Sequence, residues 1–598
     1  MASRMLAPQA PSATYNPRCP DLARLVVTMS TLETDPQRSA LMSQVRQKDT
    51  GPERIVRHIL NRMGIGFRTN AKDLPGTPDI VNRRESWAIF VHGCFWHAHE
   101  DCPRWTIPKR NREFWQRKFA ANRERDRHRQ AELEWLGYRV MVIWECELND
   151  EAALTSRLRE LTDGHTRRFG DQAVAESAGR YLEATANRIS YRYTDSRRRV
   201  VRTIHWHDRD LTSRLVVPQT AFESMPPEWA YEQAWLRRSK HPPTTVAGPT
   251  IHCADVFSGC GGLSLGISEA CRALQLTFDP CFALDFDPTS LEVYGRNFGP
   301  RVARCADINQ VLPGAVDGVA SPCESDLQRE IGPVDMLVAG PPCQGHSNLN
   351  NHTRRDDRRN DLYQRVGRFA ELFLPTHVLI ENVAAVILDG RRAMYSTADH
   401  LRSLGYALDH GVVDLARLGV PQSRKRHVVV ASRAGTPDLQ QMLARHHSEP
   451  ARTLRWAIED IQDEPPTGIF SSPANLSAEN YRRIDWLFDH DQQDLPNMER
   501  PLCHRSEHKY LSMYGRLYWD RPANTLTTGF HSPGQGRYVH PSRRRTLTPH
   551  EAARLQMFPD WFDFSPATTR MALSGMIGNA VPMRLGFVLG LELLALGH

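Results

Sequence analysis

Cys343 directly follows Pro341-Pro342 at the end of an apolar run, residues 334–340. Two consecutive prolines fix φ and present the next side chain rigidly. If the run is a strand, the thiol stands at the carboxyl edge of a sheet, where open α/β sheets hold their ligands. A thiol placed there can serve as a nucleophile once deprotonated, whereas an isolated cysteine in such a run can equally be a small core hydrophobe. A second reactive constellation lies far upstream: His92-Gly93-Cys94-Phe95-Trp96-His97-Ala98-His99-Glu100-Asp101-Cys102, followed later by Trp144-Glu145-Cys146. A tetrahedral zinc site takes four N or S ligands. Cys94, His99 and Cys102 supply three close together, and Cys146 is a candidate fourth. A reduced cysteine pair in a core would not account for the histidines.

Several apolar segments must position these groups. Residues 251–257 read as a strand carrying Asp255, followed by Ser258-Gly259-Cys260-Gly261-Gly262 and a helix opened by Leu263, Leu265 and Ile267. Glycines between a strand and a helix let backbone approach a ligand beneath the helix amino end. The spacing is neither Gly-x-Gly-x-x-Gly nor a P-loop, which argues against both motifs. A second strand, residues 281–284, ends in Asp285-Phe286-Asp287; an acid there holds ribose hydroxyls in nucleotide sites, and Phe286 could stack on a purine. A third ends at Asp307-Ile308, and another, residues 377–380, ends in Glu381-Asn382-Val383. Strands ending repeatedly in Asp, Cys or Glu converge on one crevice of a doubly wound sheet.

From about residue 251 to the C-terminus the chain resembles the cytosine-C5 DNA methyltransferase family. Six motifs carry the resemblance in the family's order: Asp255-Val256-Phe257-Ser258-Gly259-Cys260-Gly261-Gly262, Pro341-Pro342-Cys343-Gln344-Gly345, Glu381-Asn382-Val383, Gly419-Val420-Pro421-Gln422-Ser423-Arg424-Lys425-Arg426, Glu551-Ala552-Ala553-Arg554-Leu555-Gln556-Met557-Phe558-Pro559 and Ile577-Gly578-Asn579-Ala580-Val581-Pro582. The resemblance implies that Cys343 adds to cytosine C6 to activate a poorly nucleophilic C5. Glu381 contacts N3 and the exocyclic amine, and Arg426 steadies base and adduct. It implies S-adenosylmethionine as methyl donor, with Phe257 and Phe286 beside the adenine, and Gly259, Gly261 and Gly262 beside the amino-acid moiety. Asp285 would meet the ribose, standing where family members often carry Glu; Asp307 and Ile308 would meet the adenine edge, and Pro342 and Asn579 would close the site. The target base must be flipped out of the duplex. A target-recognition region is implied over residues 436–545, whose basic end, residues 536–545, suits a surface laid against DNA.

Residues 36–165 resemble the very short patch repair endonuclease family through His92-Gly93-Cys94-Phe95-Trp96-His97, Pro75-Gly76-Thr77-Pro78-Asp79, Glu113-Phe114-Trp115 and Trp144-Glu145-Cys146. The resemblance implies that Asp79 binds a catalytic Mg²⁺ with the Val91 carbonyl, that His97 is the general base supported by His92 and Glu53, and that zinc on Cys94, His99, Cys102 and Cys146 is structural. Phe95, Trp96 and Trp115 would wedge into the base stack, with core packing as the alternative. Between Arg104 and Arg129 basic residues outnumber acids; Lys118, Arg125 and Arg129 share one face of an expected helix, either solvated or on phosphates.

The fold class expected is therefore α/β: an N-terminal restriction-endonuclease-like domain with a zinc site, then a class I methyltransferase doubly wound sheet (residues 250–435 and 546–598) with a small target-recognition domain. At 598 residues the chain has room for two to four domains, and a net charge of +7 is compatible with nucleic acid. Twelve cysteines without regular pairing point to a reducing cytoplasm; the location expected is cytoplasmic, bacterial and nucleoid-associated. The apolar run 585–596 contains Glu592 and is too short to span a bilayer, so no membrane partner is expected. Residues 1–35 read as a disordered tail, with Met29 a candidate start. Residues 166–249 form a central segment of no assigned family, holding a hairpin around Asp195-Ser196, and are expected to link the two enzymes. Partners are double-stranded DNA and, as further candidates, mismatch-repair or restriction-system proteins. The expected activity is cytosine-C5 methylation joined to Mg²⁺-dependent nicking at T:G mismatches left by 5-methylcytosine deamination. The alternatives are a self-contained restriction-modification protein cutting unmethylated DNA, and a methyltransferase whose amino-terminal domain only binds DNA.

Overall fold

The computed structural model describes residues 49–162, apart from scattered positions between 72 and 137, and residues 188–596, apart from 195–197, 207–208, 243–247, 343–361, 389–392 and 506–511. Cys343, His97, Trp96, Arg125, Arg129 and the tail 1–35 lie outside the described residues. The chain divides into two compact units, Met1–Phe169 and Gly170–His598.

In the first unit, strands β1 (Arg68–Thr69), β2 (Ile80–Asn82), β3 (Trp87–His92) and β4 (Arg139–Trp144) form one sheet in sequence order. The first three are antiparallel, and β4 runs parallel to β3. One face of this sheet (Ile80, Trp87, Ile89, Ile143) packs against Val56, Ile59 and Leu60 of helix Gly51–Arg62 and Leu154 and Leu158 of helix Glu151–Thr162. The other face packs Val81, Ala88 and Phe90 around Leu133. Period-2 alternation along β3 explains the two-faced burial. Trp115, Lys118, Phe119, Asn122, Asp126, Gln130 and Leu133 are helical, in keeping with the helix expected there.

The second unit is built on a seven-stranded sheet in the order β10-β9-β8-β11-β12-β15-β13. Its strands are β8 (Thr250–Val256), β9 (Thr277–Asp285), β10 (Val302–Cys305), β11 (Met336–Ala339), β12 (His377–Val383), β13 (Ala407–Asp414) and β15 (Lys425–Ser432), the two-residue strand β14 (Gln422–Ser423) standing between the last two in the chain but outside this sheet. The first five are parallel, and β15 runs antiparallel to both β12 and β13. Strand order reverses between β8 and β11, so the ligand crevice of this doubly wound sheet falls at their carboxyl ends. The apolar C-terminal stretch is a core element: helix Met583–Leu594 is buried throughout and lies against helix Gly262–Ala273.

The central segment folds with this second unit. Strands β5 (Ile189–Thr194), β6 (Arg199–Trp206) and β7 (Arg209–Val216) form an antiparallel meander, bearing out the hairpin read from sequence. Helix Pro227–Leu236 buries Tyr231, Trp235 and Leu236. Arg202 of β6 meets Glu269 at 2.8 Å with both side chains buried, and Arg188 reaches Glu592 at 2.9 Å. Paired, desolvated charges of this kind belong to a core rather than a tether.

Candidate functional site

The turn after β8 holds Phe257 at φ +62° and carries its glycines close to other elements. A side chain at Gly261 would lie 2.3 Å from the Phe298 ring, and one at Gly262 would lie 2.2 Å from the Val581 carbonyl oxygen. Packing against the Phe298 and Tyr294 rings at Gly261, and against the C-terminal motif at Gly262, therefore favours glycine at both. Gly259 faces open space, and its N–H donates to the Asp285 carboxylate at 2.7 Å. Asp285 also accepts from the Asp287 N–H at 2.9 Å. Phe286 next to it is 70% exposed, a free aromatic face at the crevice. Asp307 is exposed and caps the short helix Ile308–Val311, with Ile308 buried beneath; it follows β10, which pairs in register with β9 up to Cys305 and Asp285. The buried Ser258 hydroxyl, on the same turn, has no partner among the described residues. Pro342 is half-buried, and Asn579 is exposed at the end of helix Arg570–Asn579.

Asp255 lies beneath this loop, fully buried, accepting from the Ser264 hydroxyl at 2.6 Å. Burial pushes its carboxyl up to about 8, with the Asp285 charge adding to the effect. Because the folded value exceeds the ordinary one, the unfolded chain loses this proton first. The resulting stability cost grows as pH rises above about 4 and is complete above the folded value. Asp255→Asn keeps the acceptor without the charge. Its melting temperature is expected to match the parent near pH 4.5 and exceed it clearly at pH 8, and a gap that fails to widen between thermal melts at the two pH values would sink this reading.

Across the switch point, the parallel register aligns the ends of β8, β11 and β12, placing Phe257, Gly340 and Glu381 in one row. Glu381 is buried and meets Arg426 through a 2.8 Å Nε–Oε1 contact. Burial raises the Glu381 carboxyl, while the Arg426 and Arg424 guanidinium groups pull it back only in part. The Asn382 amide donates to the Pro341 carbonyl at 3.2 Å, tying β12 to the Pro-Pro turn that precedes Cys343.

A buried polar lattice, missed from the sequence, holds the segment that leads into Arg426. Gln422 donates to Gln556 at 3.0 Å and accepts the Leu526 N–H at 2.8 Å. Arg424 donates to the Leu526 and Ala580 carbonyls at 2.9 and 3.1 Å, and Gln556 donates to the Ile577 carbonyl at 2.6 Å. Three of the six motifs are thereby laced together. The period-2 spacing of Gln422, Arg424 and Arg426 was a signal that they share one side of an extended segment.

In the first unit, the ligand atoms of Cys94, His99, Cys102 and Cys146 all lie within 4.8 Å of one another. His99 stacks on Trp144 with centroids 4.1 Å apart, and its Nδ1 is 3.4 Å from the Cys146 sulfur. The sequence set of four is brought together. The Asp79 carboxylate accepts the Val91 N–H at 2.8 Å, so its charge sits against β3 beside the Val91 carbonyl's own residue. His92 is buried, its ring centroid 5.3 Å from that of Trp144 in an edge-to-face arrangement. Glu53 has a local job: its carboxylate accepts from Asp49, Thr50 N–H and the Thr50 hydroxyl in a capping box. Phe95, Trp115 and the buried Phe119 pack on one another at 5.5–5.7 Å.

The basic run 536–545 is less free than its sequence implies. Arg537 pairs with Asp494, Arg543 with Asp463, Arg544 with Asp485 and Asp489, and Arg545 with Glu551. The exposed pairs of Arg543 and Arg544 are weak and can exchange for phosphate, whereas Arg537 and Arg545 are largely buried in theirs.

Residues 251–595 match the C-5 cytosine-specific DNA methylase family model, and residues 31–104 match that of the DNA mismatch endonuclease Vsr. The chain is 43% identical over 402 residues to the Type II methyltransferase M1.BsuMI of Bacillus subtilis, covering 67% of this chain and 94% of that one. This match is longer than the stretch from Ile251 onward, so it takes in part of the central segment. It is 49% identical over 127 residues to the Type II nicking enzyme V.XorIIP of Xanthomonas oryzae (21% of this chain, 93% of that one). It is 39% identical over 153 residues to the DNA mismatch endonuclease Vsr of Escherichia coli (25% and 94%). The chain thus belongs to the C-5 cytosine-specific DNA methylase family and carries a Vsr-family segment ahead of it. It is a DNA methyltransferase acting at cytosine C5, a family chemistry that draws its methyl group from S-adenosylmethionine.

Proposed function

We propose that the chain methylates cytosine C5 in a specific duplex sequence and, through its amino-terminal unit, nicks DNA at T:G mismatches that arise there when 5-methylcytosine deaminates. In the methyltransferase, Cys343 supplies the thiolate that adds to C6, and Glu381 holds N3 and the exocyclic amine. Its raised carboxyl keeps a proton available to neutralise the developing enamine. Arg426 fixes Glu381 and steadies the adduct. Phe257, Phe286, Gly259, Gly261, Gly262, Asp285, Asp307, Ile308, Pro342 and Asn579 hold S-adenosylmethionine, and residues 436–545 read the sequence. The observation that carries this half is the buried Glu381–Arg426 pair at the switch point, level with Phe257 and Gly340.

The amino-terminal unit is a restriction-endonuclease-like α/β fold. Asp79 and the Val91 carbonyl would hold Mg²⁺, His97 would act as general base, and His92 and Glu53 would support them. Cys94, His99, Cys102 and Cys146 would hold a structural zinc. Zinc-bound sulfurs at about 2.3 Å from the metal stand roughly 3.8 Å apart in a tetrahedron, which the observed cluster can meet with small shifts. A second reading is favoured by the Type II designation of two relatives: a self-contained restriction-modification protein that cuts unmethylated sites.

The test is to offer the full chain, with Mg²⁺, three duplexes carrying the methylated sequence: one with a T:G mismatch, one matched and unmethylated, one matched and methylated. Nicking of the T:G duplex alone, lost in Asp79→Ala with methylation kept, is the expected result. Cleavage of the unmethylated duplex, blocked by methylation, would replace the repair reading with restriction.

A further inference from the structure

We infer that Glu232, in the central segment, is a positioning residue for the methyltransferase, holding in place the turn that delivers Arg426 to Glu381. Glu232 is buried on helix Pro227–Leu236 and binds two buried arginines from distant parts of the chain: Arg452 at 2.5 Å and Arg584. Each arginine then holds a carbonyl of the same turn. Arg584 donates to the Leu418 oxygen at 2.9 Å, and Arg452 donates to the Gly419 oxygen at 2.9 Å. This turn, with Gly419 at φ +87°, leads directly into Gln422, Arg424 and Arg426. A side chain at Gly419 would meet the Arg452 guanidinium at 2.7 Å, so the contact is close-packed.

The acid is built to stay charged. Burial alone would raise its carboxyl, but the Arg452 and Arg584 charges hold it below the ordinary value. The Tyr191 hydroxyl of β5 donates to it at 3.0 Å, and Glu228 one turn earlier pairs with Arg452 at 3.0 Å. Gln233 and Trp229 pin the same helix to Trp456 through bonds of 2.8 and 3.2 Å. Two cations sharing one anion make the turn's position depend on the central segment. A relative without a Vsr-like half, M1.BsuMI, is matched through part of this segment, which accords with a role in methylation rather than in joining two enzymes.

The inference rests on the proposed role of Arg426, so Arg426→Ala is measured alongside. In the full chain, Glu232→Gln, Glu228→Gln and Tyr191→Phe are assayed for kcat of methyl transfer, KM for S-adenosylmethionine and thermal melting. Small displacements of reacting groups are costly, so kcat in Glu232→Gln is expected to fall roughly tenfold or more. KM for the cofactor should stay within about twofold, because the cofactor loop lies on the other half of the sheet. Glu232→Asp, retaining the charge, should recover part of the loss. If Glu232→Gln does not fold, the milder Glu228→Gln and Tyr191→Phe must show the same kcat-only pattern. Folded variants with undiminished kcat, or with losses confined to KM, overturn the inference alone when Arg426→Ala is inactive. Undiminished methylation in Arg426→Ala would remove the site reading beneath it.

Discussion

In the Cys343→Ala variant, transfer of a labelled methyl group to cytosine C5 is expected to fall to background while duplex DNA and S-adenosylmethionine remain bound. The substitution removes the sulfur and little else, and without a thiolate at C6 the ring carbon has no route to enough nucleophilicity. Glu381→Gln should be slower than the parent by about 10²–10⁴-fold, the usual contribution of a positioned proton donor, since the amide keeps the shape but carries no transferable proton. Its effect has a pH signature. The buried Glu381 carboxyl is raised, so the protonated form persists to higher pH than for an ordinary glutamate, and kcat should decline as pH rises through that value. Glu381→Gln should lack this limb of the profile. Label on an exocyclic amine, or turnover surviving in Cys343→Ala, would refute the assignment.

Cys146→Ser is expected to strip the first unit of the zinc proposed for it and of its nicking activity together, leaving methyl transfer intact. Structural zinc in small domains contributes about 10–16 kcal/mol of binding free energy, which is folding free energy when no site exists in the unfolded chain. Here the cluster joins the stretch after β3 (Cys94, His99, Cys102) to the end of β4 (Cys146), so losing one ligand frees both from each other. The second unit has its own core and should keep its melting transition. Elemental analysis should find about one zinc per parent chain, and freshly prepared protein without zinc would defeat the proposal.

The sequence made the crevice readable where function and local pattern coincide. Apolar runs that stop at Asp285 or Glu381 announce both a strand and its chemical end, and Cys-His spacing announced the cluster around Cys94. What stayed hidden depends on partners remote in the chain. Gln422 meets Gln556, and Glu232 meets Arg452 and Arg584, and no local periodicity reports a contact across more than a hundred residues. The same cause made the central segment look like a tether: the anions that neutralise Arg188 and Arg202, Glu592 and Glu269, lie far downstream. Thr50-Gly51-Pro52-Glu53 is a legible capping box, a local signal that stands beside the supporting role proposed for Glu53. In residues 536–545 a dense basic run was visible, but the acids that pair with it were not.

The position of the meander also bears on how the two enzymes could be separated or exchanged by engineering. A methyltransferase cut free at residue 250, the start of its recognisable motifs, would leave Arg452 and Arg584 sealed in the interior without their shared anion, and Glu269 without Arg202. Stranding buried ions costs several kcal/mol each, enough to threaten a marginally stable protein. The workable seam lies upstream of Arg188, so any transplant of this catalyst onto a different nuclease has to carry the meander with it.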